Sequence, residues 1–174
     1  MSRKQEPICK VLHLLKRRYD SVANGKNTRN TPLKLELLSK LALLELGGWI
    51  EMTIDKILED YVSRKISDAQ EQVSIRQSVI MSVFGFDPHR HVWPLFERIL
   101  GVENCRRLKM DLEQKRLLHP FQSYLRNLWE QRSQEAHTYR IGVTHSVNTP
   151  SWTLSRFFQI SPIIEQIRKF VERL

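Results

Sequence analysis

The sequence contains few of the residues on which secreted or membrane-embedded folds depend. Its 174 residues include only two cysteines, Cys9 and Cys105, which cannot form a disulfide framework and suit a reducing compartment. No uninterrupted apolar run approaches the roughly 18–20 residues of a membrane-spanning helix. Six glycines and seven prolines are too few for a collagen-like or low-complexity chain. These shortages favour a globular, cytoplasmic protein that does not enter a membrane.

The usual signatures of metal and cofactor enzymes are missing as well. The sequence has no zinc-finger spacing, no glycine-rich phosphate loop and no Gly-x-Ser-x-Gly nucleophile elbow. Among six histidines, His89 and His91 are close together, and Asp87 is the only nearby residue that could help them bind a metal. We therefore expect neither a structural metal nor a cofactor.

Positive charge is in excess and unevenly placed. Lys and Arg number 28 against 19 Asp and Glu, a net charge of +9. Residues 1–30 hold eight basic and two acidic side chains, whereas residues 31–102 hold eight and ten. Such a balance favours a polyanionic partner, although a solvated surface that keeps the protein soluble is the alternative. The cations that we predict to bind RNA are Lys16, Arg17, Arg18, Arg126 and Arg140.

Apolar residues recur at three- and four-residue spacing through almost the whole chain, which predicts an all-α bundle. Thr31-Pro32 has the composition of a helix start, with Thr as N-cap and Pro at the first position. Residues 1–174 are predicted to form a single domain, of which 1–30 are a basic helix and loop. The predicted helices are 8–22, 33–65, one from Asp68 through Val83, 91–100, 103–118, 121–139 and one starting at Ser161-Pro162, with loops at 24–31 and 141–154.

The segment 126–140 contains the residues best suited to chemistry. Arg132 and His137 form an Arg-x4-His pair on a predicted amphipathic helix. A histidine can transfer a proton near neutral pH, and an arginine can neutralise charge that develops on a phosphate. The pair therefore suits metal-free RNA cleavage, in which the 2′-hydroxyl of the RNA is the nucleophile.

Three other interpretations of these residues remain open. Arg140 and His145 have the same spacing, but they fall in a predicted loop, so the helix favours the first pair. Arg132 could also form only a surface ion pair with Glu135. His137 could be a helix-end residue favoured by the helix dipole.

The stretch Arg132-Ser133-Gln134-Glu135-Ala136-His137-Thr138 resembles the signature of the HEPN superfamily of helical nucleases and nucleotide-binding proteins. The family pattern is Arg-Asn-x-x-Ala-His, and this chain has Ser133 where Asn is usual. Tyr139 is similar to the tyrosine of the Arg-x4-His-x-Tyr form found in HEPN toxins that are paired with small nucleotidyltransferases. Residues 41–52 resemble the upstream helix of the family, with Glu51 in an apolar setting.

The resemblance implies an HEPN-like helical bundle with metal-independent endoribonuclease activity, as a toxin of a toxin–antitoxin or antiviral defence system. It implies that Arg132 and His137 are catalytic, that Ser133 and Glu51 support them, and that Tyr139 is a possible modification site for a cognate nucleotidyltransferase antitoxin. The alternatives are a non-catalytic HEPN module that binds nucleic acid, nucleotide or a partner protein, and a helical adaptor whose basic surface is incidental.

The spacing of the pair also predicts a homodimer. Five residues of ideal helix rotate a side chain by about 140° net, so Arg132 and His137 of one chain diverge unless the helix bends or ends between them. Cleavage needs one group to accept the 2′-hydroxyl proton and another to protonate the leaving 5′-oxygen. A two-fold axis would bring two Arg–His pairs into one cleft, as the HEPN resemblance also implies.

Overall fold

The structure, a computed structural model, describes residues 7–136 and 147–174, and no strand occurs in these two ranges. The all-α prediction is therefore confirmed. Two π-helical turns, Arg76–Ile80 and Pro88–Val92, follow α3 and precede α4. The α-helices of these ranges are α1 (Pro7–Ala23), α2 (Thr31–Lys65), α3 (Ala69–Ile75), α4 (Trp93–Leu100), α5 (Val102–Gln114), α6 (Leu118–Ala136) and α7 (Pro150–Glu172).

Helix α2 runs without a break from Thr31 to Lys65, close to the predicted bounds of 33 and 65. The helix continues through Gly48, and a Cβ atom added there would meet nothing within 4 Å. Thr31 does not cap the helix as predicted, because its hydroxyl oxygen instead accepts a hydrogen bond of 2.9 Å from the backbone N–H of Thr28. Asp68, at the predicted start of the next helix, caps α3, since its carboxylate accepts from the backbone N–H groups of Gln70 and Glu71.

The prediction for the last helix was wrong at its start. Helix α7 begins at Pro150, so residues 150–154 are helical rather than loop, and Pro162 lies inside the helix instead of opening it. Thr149 lies at the start instead, and its Oγ1 accepts from the N–H of Trp152 at 3.5 Å. Buried apolar residues recur on both sides of Pro162, and their burial outweighs the hydrogen bond that proline cannot make. These residues are Leu154, Phe157, Ile160, Ile163, Ile164, Ile167, Phe170 and Val171.

Other predicted helix bounds need smaller corrections. Helix α5 ends at Gln114 rather than near 118, because Arg116 adopts a left-handed backbone with φ of 56°. The N–H of Leu117 then bonds to the carbonyl of Leu112, and that of Arg116 to Glu113, which is a Schellman ending. The helix predicted from Asp68 through Val83 gives way to a π turn and ends at Ile80.

The fold contains two compact units. Unit 1 comprises the described residues of Met1–Trp49 and Glu130–Ser161. In its core the indole of Trp49 packs edge-on against Phe157, with ring centroids 5.1 Å apart. The buried apolar residues of this unit are Ile8, Cys9, Leu12, Leu15, Ala42, Leu43, Leu46, Leu154, Phe157 and Ile160.

Unit 2 comprises Ile50–Trp129 and Pro162–Leu174. Trp93 lies in its core, with ring centroids 5.9 Å from those of both Phe96 and Phe121. Arg64 donates a hydrogen bond of 2.8 Å from Nη2 to the carbonyl of Val171, which joins the ends of α2 and α7. The prediction that residues 1–174 form a single domain stays a prediction.

Candidate functional site

The two members of the predicted catalytic pair differ in how far the structure describes them. Arg132 lies in the last two turns of α6 and is half-buried. Its position follows from the buried stripe of the helix, because Arg132 comes one turn after Leu128, which is 1% exposed. Ser133 is also half-buried on α6. His137, Tyr139, Arg140 and the alternative His145 lie outside the described residues.

Two side-chain contacts fix the end of α6 within unit 1. Glu135 Oε2 lies 3.3 Å from Lys40 Nζ, and the two side chains are only 11% and 21% exposed. Asn148 Nδ2 donates a hydrogen bond of 2.8 Å to Gln131 Oε1. Helix α6 is therefore held on either side of Arg132, against α2 and against the chain that leads into α7.

Glu51, the predicted supporting carboxylate, is half-buried on α2 in unit 2. It begins a row of acids at four-residue spacing with Asp55 and Glu59, a helical signal that our interpretation of the sequence missed. Burial, together with repulsion from Glu59 and Glu51, raises the pKa of Asp55 to about 6. The support of Arg132 by Glu51 stays a prediction.

The cations predicted to bind RNA are mostly on the surface. Arg17 and Arg18 on α1 and Arg126 on α6 are exposed. Lys16 is only half-exposed and pairs with Asp20, its Nζ 2.6 Å from Oδ2. That pair offsets part of the local charge, so Arg17 and Arg18 are better placed than Lys16 to meet a phosphate.

Of the two histidines that could have indicated a metal, His91 has a structural role, and the side chain of His89 is exposed. Asp87 accepts from the backbone N–H groups of His89 and Arg90, at 2.9 and 2.8 Å, and so caps the second π turn. His91 accepts at Nδ1 from the backbone N–H of Asp87, 3.1 Å away. Burial lowers the pKa of His91 and outweighs the Asp87 carboxylate, which acts in the opposite direction. Burial therefore favours the neutral ring, which this hydrogen bond needs. The described ranges hold no group of three His, Cys, Asp or Glu residues arranged for a metal ion.

A cavity of about 230 Å³ in unit 2 lies between α2 and the α3 region. It includes the ion pair of Arg76 Nε with Glu59 Oε1, at 2.7 Å. The volume is below the roughly 300–1,000 Å³ of sites that enclose a drug-sized ligand. None of the predicted site residues lines it; those that do are Lys56, Glu59, Val62, Ser63, Gln72, Val73, Arg76 and Ile80.

No family model matches the chain, and no curated protein or solved structure is significantly similar to it. Among the described residues, no helix is long and apolar enough to cross a membrane. Cys9 and Cys105 are both buried and free of disulfides.

Proposed function

We propose that the protein is a metal-independent endoribonuclease of the HEPN type, with Arg132 and His137 as its catalytic pair. The observation that carries the proposal is the HEPN-like motif at the end of α6, where Gln131 and Glu135 anchor the helix on either side of Arg132. A fixed helix end supports a catalytic role because phosphate chemistry needs an arginine held in one place. The all-α fold and the net charge of +9 are consistent with it.

The proposed reaction needs no group outside the protein and its RNA. The 2′-oxygen attacks the adjacent phosphorus while one His137 accepts the hydroxyl proton. The bond from phosphorus to the 5′-oxygen breaks, and the His137 of a second chain protonates that oxygen. Arg132 neutralises the charge on the non-bridging oxygens. The products are a 2′,3′-cyclic phosphate and a 5′-hydroxyl.

The proposal includes a homodimer, because a single chain offers one histidine of this motif for two proton transfers. In the dimer, two Arg132–His137 pairs line one cleft. RNA reaches it across the basic surface of α1, with Arg17 and Arg18, and with Arg126 and Arg140 as further phosphate contacts. Neutralising Lys16, Arg17 and Arg18 together should weaken RNA binding and flatten its dependence on salt.

As a toxin of a toxin–antitoxin or defence system, the enzyme would need a partner that inhibits its activity in the cytoplasm. A cognate nucleotidyltransferase that modifies Tyr139 would do so, because a nucleotide two residues from His137 adds negative charge where the RNA phosphate binds. Mass spectrometry after co-expression with such an enzyme should find the added nucleotide on Tyr139. An unmodified Tyr139 would end this part of the proposal.

The decisive experiment compares His137→Ala with His145→Ala on a labelled RNA in the presence of EDTA. Cleavage should vanish in the first variant and in Arg132→Ala, and persist in the second. Circular dichroism checks that each variant keeps its helices. Full activity in a folded His137→Ala protein or in a strict monomer, or loss of activity with EDTA, contradicts the proposal. Binding without cleavage by the wild-type protein would indicate the non-catalytic module instead.

A further inference from the structure

Phe84 lies on a loop of unit 2 and is 82% exposed, although Phe86 and Pro88 beside it are buried. An exposed apolar side chain is common on protein surfaces and means little by itself. Two features distinguish Phe84. The residues directly after it pack tightly and support its backbone, and exposed positively charged residues lie on the elements around them.

The rigid support is a cluster formed by Gly85, Phe86, His91 and Trp129, which we call the Trp129 cluster. Gly85 has φ of 118°, and a Cβ atom there would lie 2.6 Å from the Trp129 ring and 2.8 Å from His91. The rings of Phe86 and His91 both meet Trp129 edge-on, with centroids 5.5 and 4.9 Å from it. A glycine packed so closely that no Cβ would fit has little freedom, so the backbone next to Phe84 is fixed and costs little entropy on binding.

Two exposed arginines lie on the elements that contribute His91 and Trp129 to this cluster. Asp87 caps the second π turn through the N–H groups of His89 and Arg90, so the turn is ordered while both of those side chains are exposed. Arg126 is exposed on α6, three residues before Trp129. Asp87, the one acid of this loop and turn, is 9% exposed and already accepts those two hydrogen bonds.

An exposed aromatic ring with exposed arginines on the neighbouring turn and helix has the composition of a single-stranded nucleic acid site. Bases stack on aromatic rings regardless of sequence, and arginines follow the phosphates. The exposed Met81 adds apolar surface that would suit a protein partner as well. The exposed arginines nevertheless favour a polyanionic partner, because the centre of a protein–protein interface is usually poor in charged residues.

We propose that Phe84 is a stacking platform for one unpaired RNA base, and that Arg90 and Arg126 contact the phosphates beside that base. The inference rests on the proposed function in taking RNA as the substrate, and it adds a binding site outside the Arg132–His137 motif. It implies that the enzyme prefers single-stranded RNA, since a base within a duplex cannot reach the ring.

The test measures binding of a fluorescent 2′-O-methyl oligouridine by anisotropy, because this RNA has no 2′-hydroxyl and cannot be cleaved. Phe84→Ala and Phe84→Leu should both weaken binding about 5- to 100-fold, whereas Phe84→Trp should stay close to wild type. Leucine is the informative change because it is apolar but has no π face. Val102→Ala is the matched control, since Val102 is 73% exposed in the same unit and should not affect binding.

The salt dependence tests the arginines. Arg90→Gln and Arg126→Gln should each weaken binding and lower the slope of log affinity against log salt by about 0.7. Unchanged binding by Phe84→Ala, wild-type binding by Phe84→Leu, or no binding by the wild-type protein overturns the proposal. Wild-type binding by Phe84→Leu alone would mean that an apolar contact suffices and that no base stacks on this ring.

Two results separate this site from the proposed catalysis. If His137→Ala cleaves normally while Phe84→Ala loses binding, the stacking site stands and the proposed function fails. If cleavage needs His137 while Phe84→Ala binds as wild type does, only the stacking site fails.

Discussion

The side-chain amide of Asn148 donates a hydrogen bond to Gln131, 17 residues earlier, and so joins the end of α6 to the chain that leads into α7. Between the two partners lie all the predicted site residues from Arg132 to Arg140. The contact is polar and half-buried, so its loss affects how the ends of this segment are held rather than the packing of the core.

A double-mutant cycle of Asn148→Ala and Gln131→Ala measures this contact. We expect a coupling free energy of about 0.5–1.5 kcal/mol in urea unfolding, the usual range for a neutral hydrogen bond. Single variants whose effects simply add would show that the bond contributes nothing. If the proposed function holds, either variant should also cleave RNA more slowly.

The ion pair of Lys40 with Glu135 should matter more than pairs at the surface. Glu135→Gln removes the carboxylate that lies 3.3 Å from Lys40 Nζ, between side chains that are only 21% and 11% exposed, and we expect a loss of about 2 kcal/mol in the free energy of unfolding. The control is Asp60→Asn, which breaks the exposed pair with Lys56 and should change stability far less. Equal effects of the two variants would contradict the difference in burial.

Two glycine substitutions should have opposite effects on stability. Gly48→Ala should raise the free energy of unfolding by about 0.5–1 kcal/mol, because alanine favours the helix and nothing lies within 4 Å of its Cβ. Gly85→Ala should lower it by about 2 kcal/mol or more, because its φ of 118° and the Trp129 ring 2.6 Å away both oppose a side chain. Thermal unfolding of the two variants against wild type provides the comparison.

Asp55 should make the protein less stable as the pH rises from about 4 to about 6. Its pKa is near 6 in the folded chain, whereas an unfolded aspartate has its ordinary pKa of about 3.9. Between these values the folded state binds more protons than the unfolded state, so the free energy of unfolding falls with pH and stays low above 6.

The substitution Asp55→Asn removes the repulsion by Glu59 and Glu51 at neutral pH. We expect it to stabilise the protein at pH 7 by about 1 kcal/mol, allowing for solvent screening of a half-exposed group, and to have little effect at pH 4. Urea unfolding at the two pH values decides the matter. A variant that is destabilised equally at both would mean that the side chain acts through packing.

Arg116 adopts the left-handed conformation that glycine normally provides at the end of a helix. Arg116→Gly should therefore raise the free energy of unfolding by roughly 1 kcal/mol, since the glycine has no Cβ to oppose a φ of 56°. The neighbouring Lys115→Gly is the control and should be neutral or destabilising, because φ there is −84°. Calorimetry of both variants tests the assignment.

The helices could be predicted wherever one apolar stripe continued for many turns. Helix α2 is such a case, and its stripe set both ends to within a few residues despite Gly47-Gly48. Helix α7 was predicted less well because Ser161-Pro162 has the composition of a helix start, as Thr149-Pro150 also does. Only the burial of the residues around Pro162 decides between them, and burial depends on tertiary packing.

The candidate site was predictable only in part. The position of Arg132 on an amphipathic helix follows from the sequence, and the acidic row from Glu51 to Glu59 could have been found from its spacing. The contact of Lys40 with Glu135 could not be predicted from the sequence, because it joins helices that are far apart in the chain. The exposure of Phe84 could not be predicted either, since its sequence position does not distinguish it from the nearby Phe86, which is buried in the core.

The π turn Arg76–Ile80 has a consequence for how related sequences could differ in length. A π turn corresponds to an α-helix that has taken in one extra residue. Losing one residue from the turn would restore regular α-helix and change the direction of the following chain little, because the π turn already takes up the extra residue. Gly85 would then still face Trp129, and the loop that presents Phe84 would keep its support. Relatives that keep this loop should therefore vary in length by one residue at this turn more readily than in the regular α-helices.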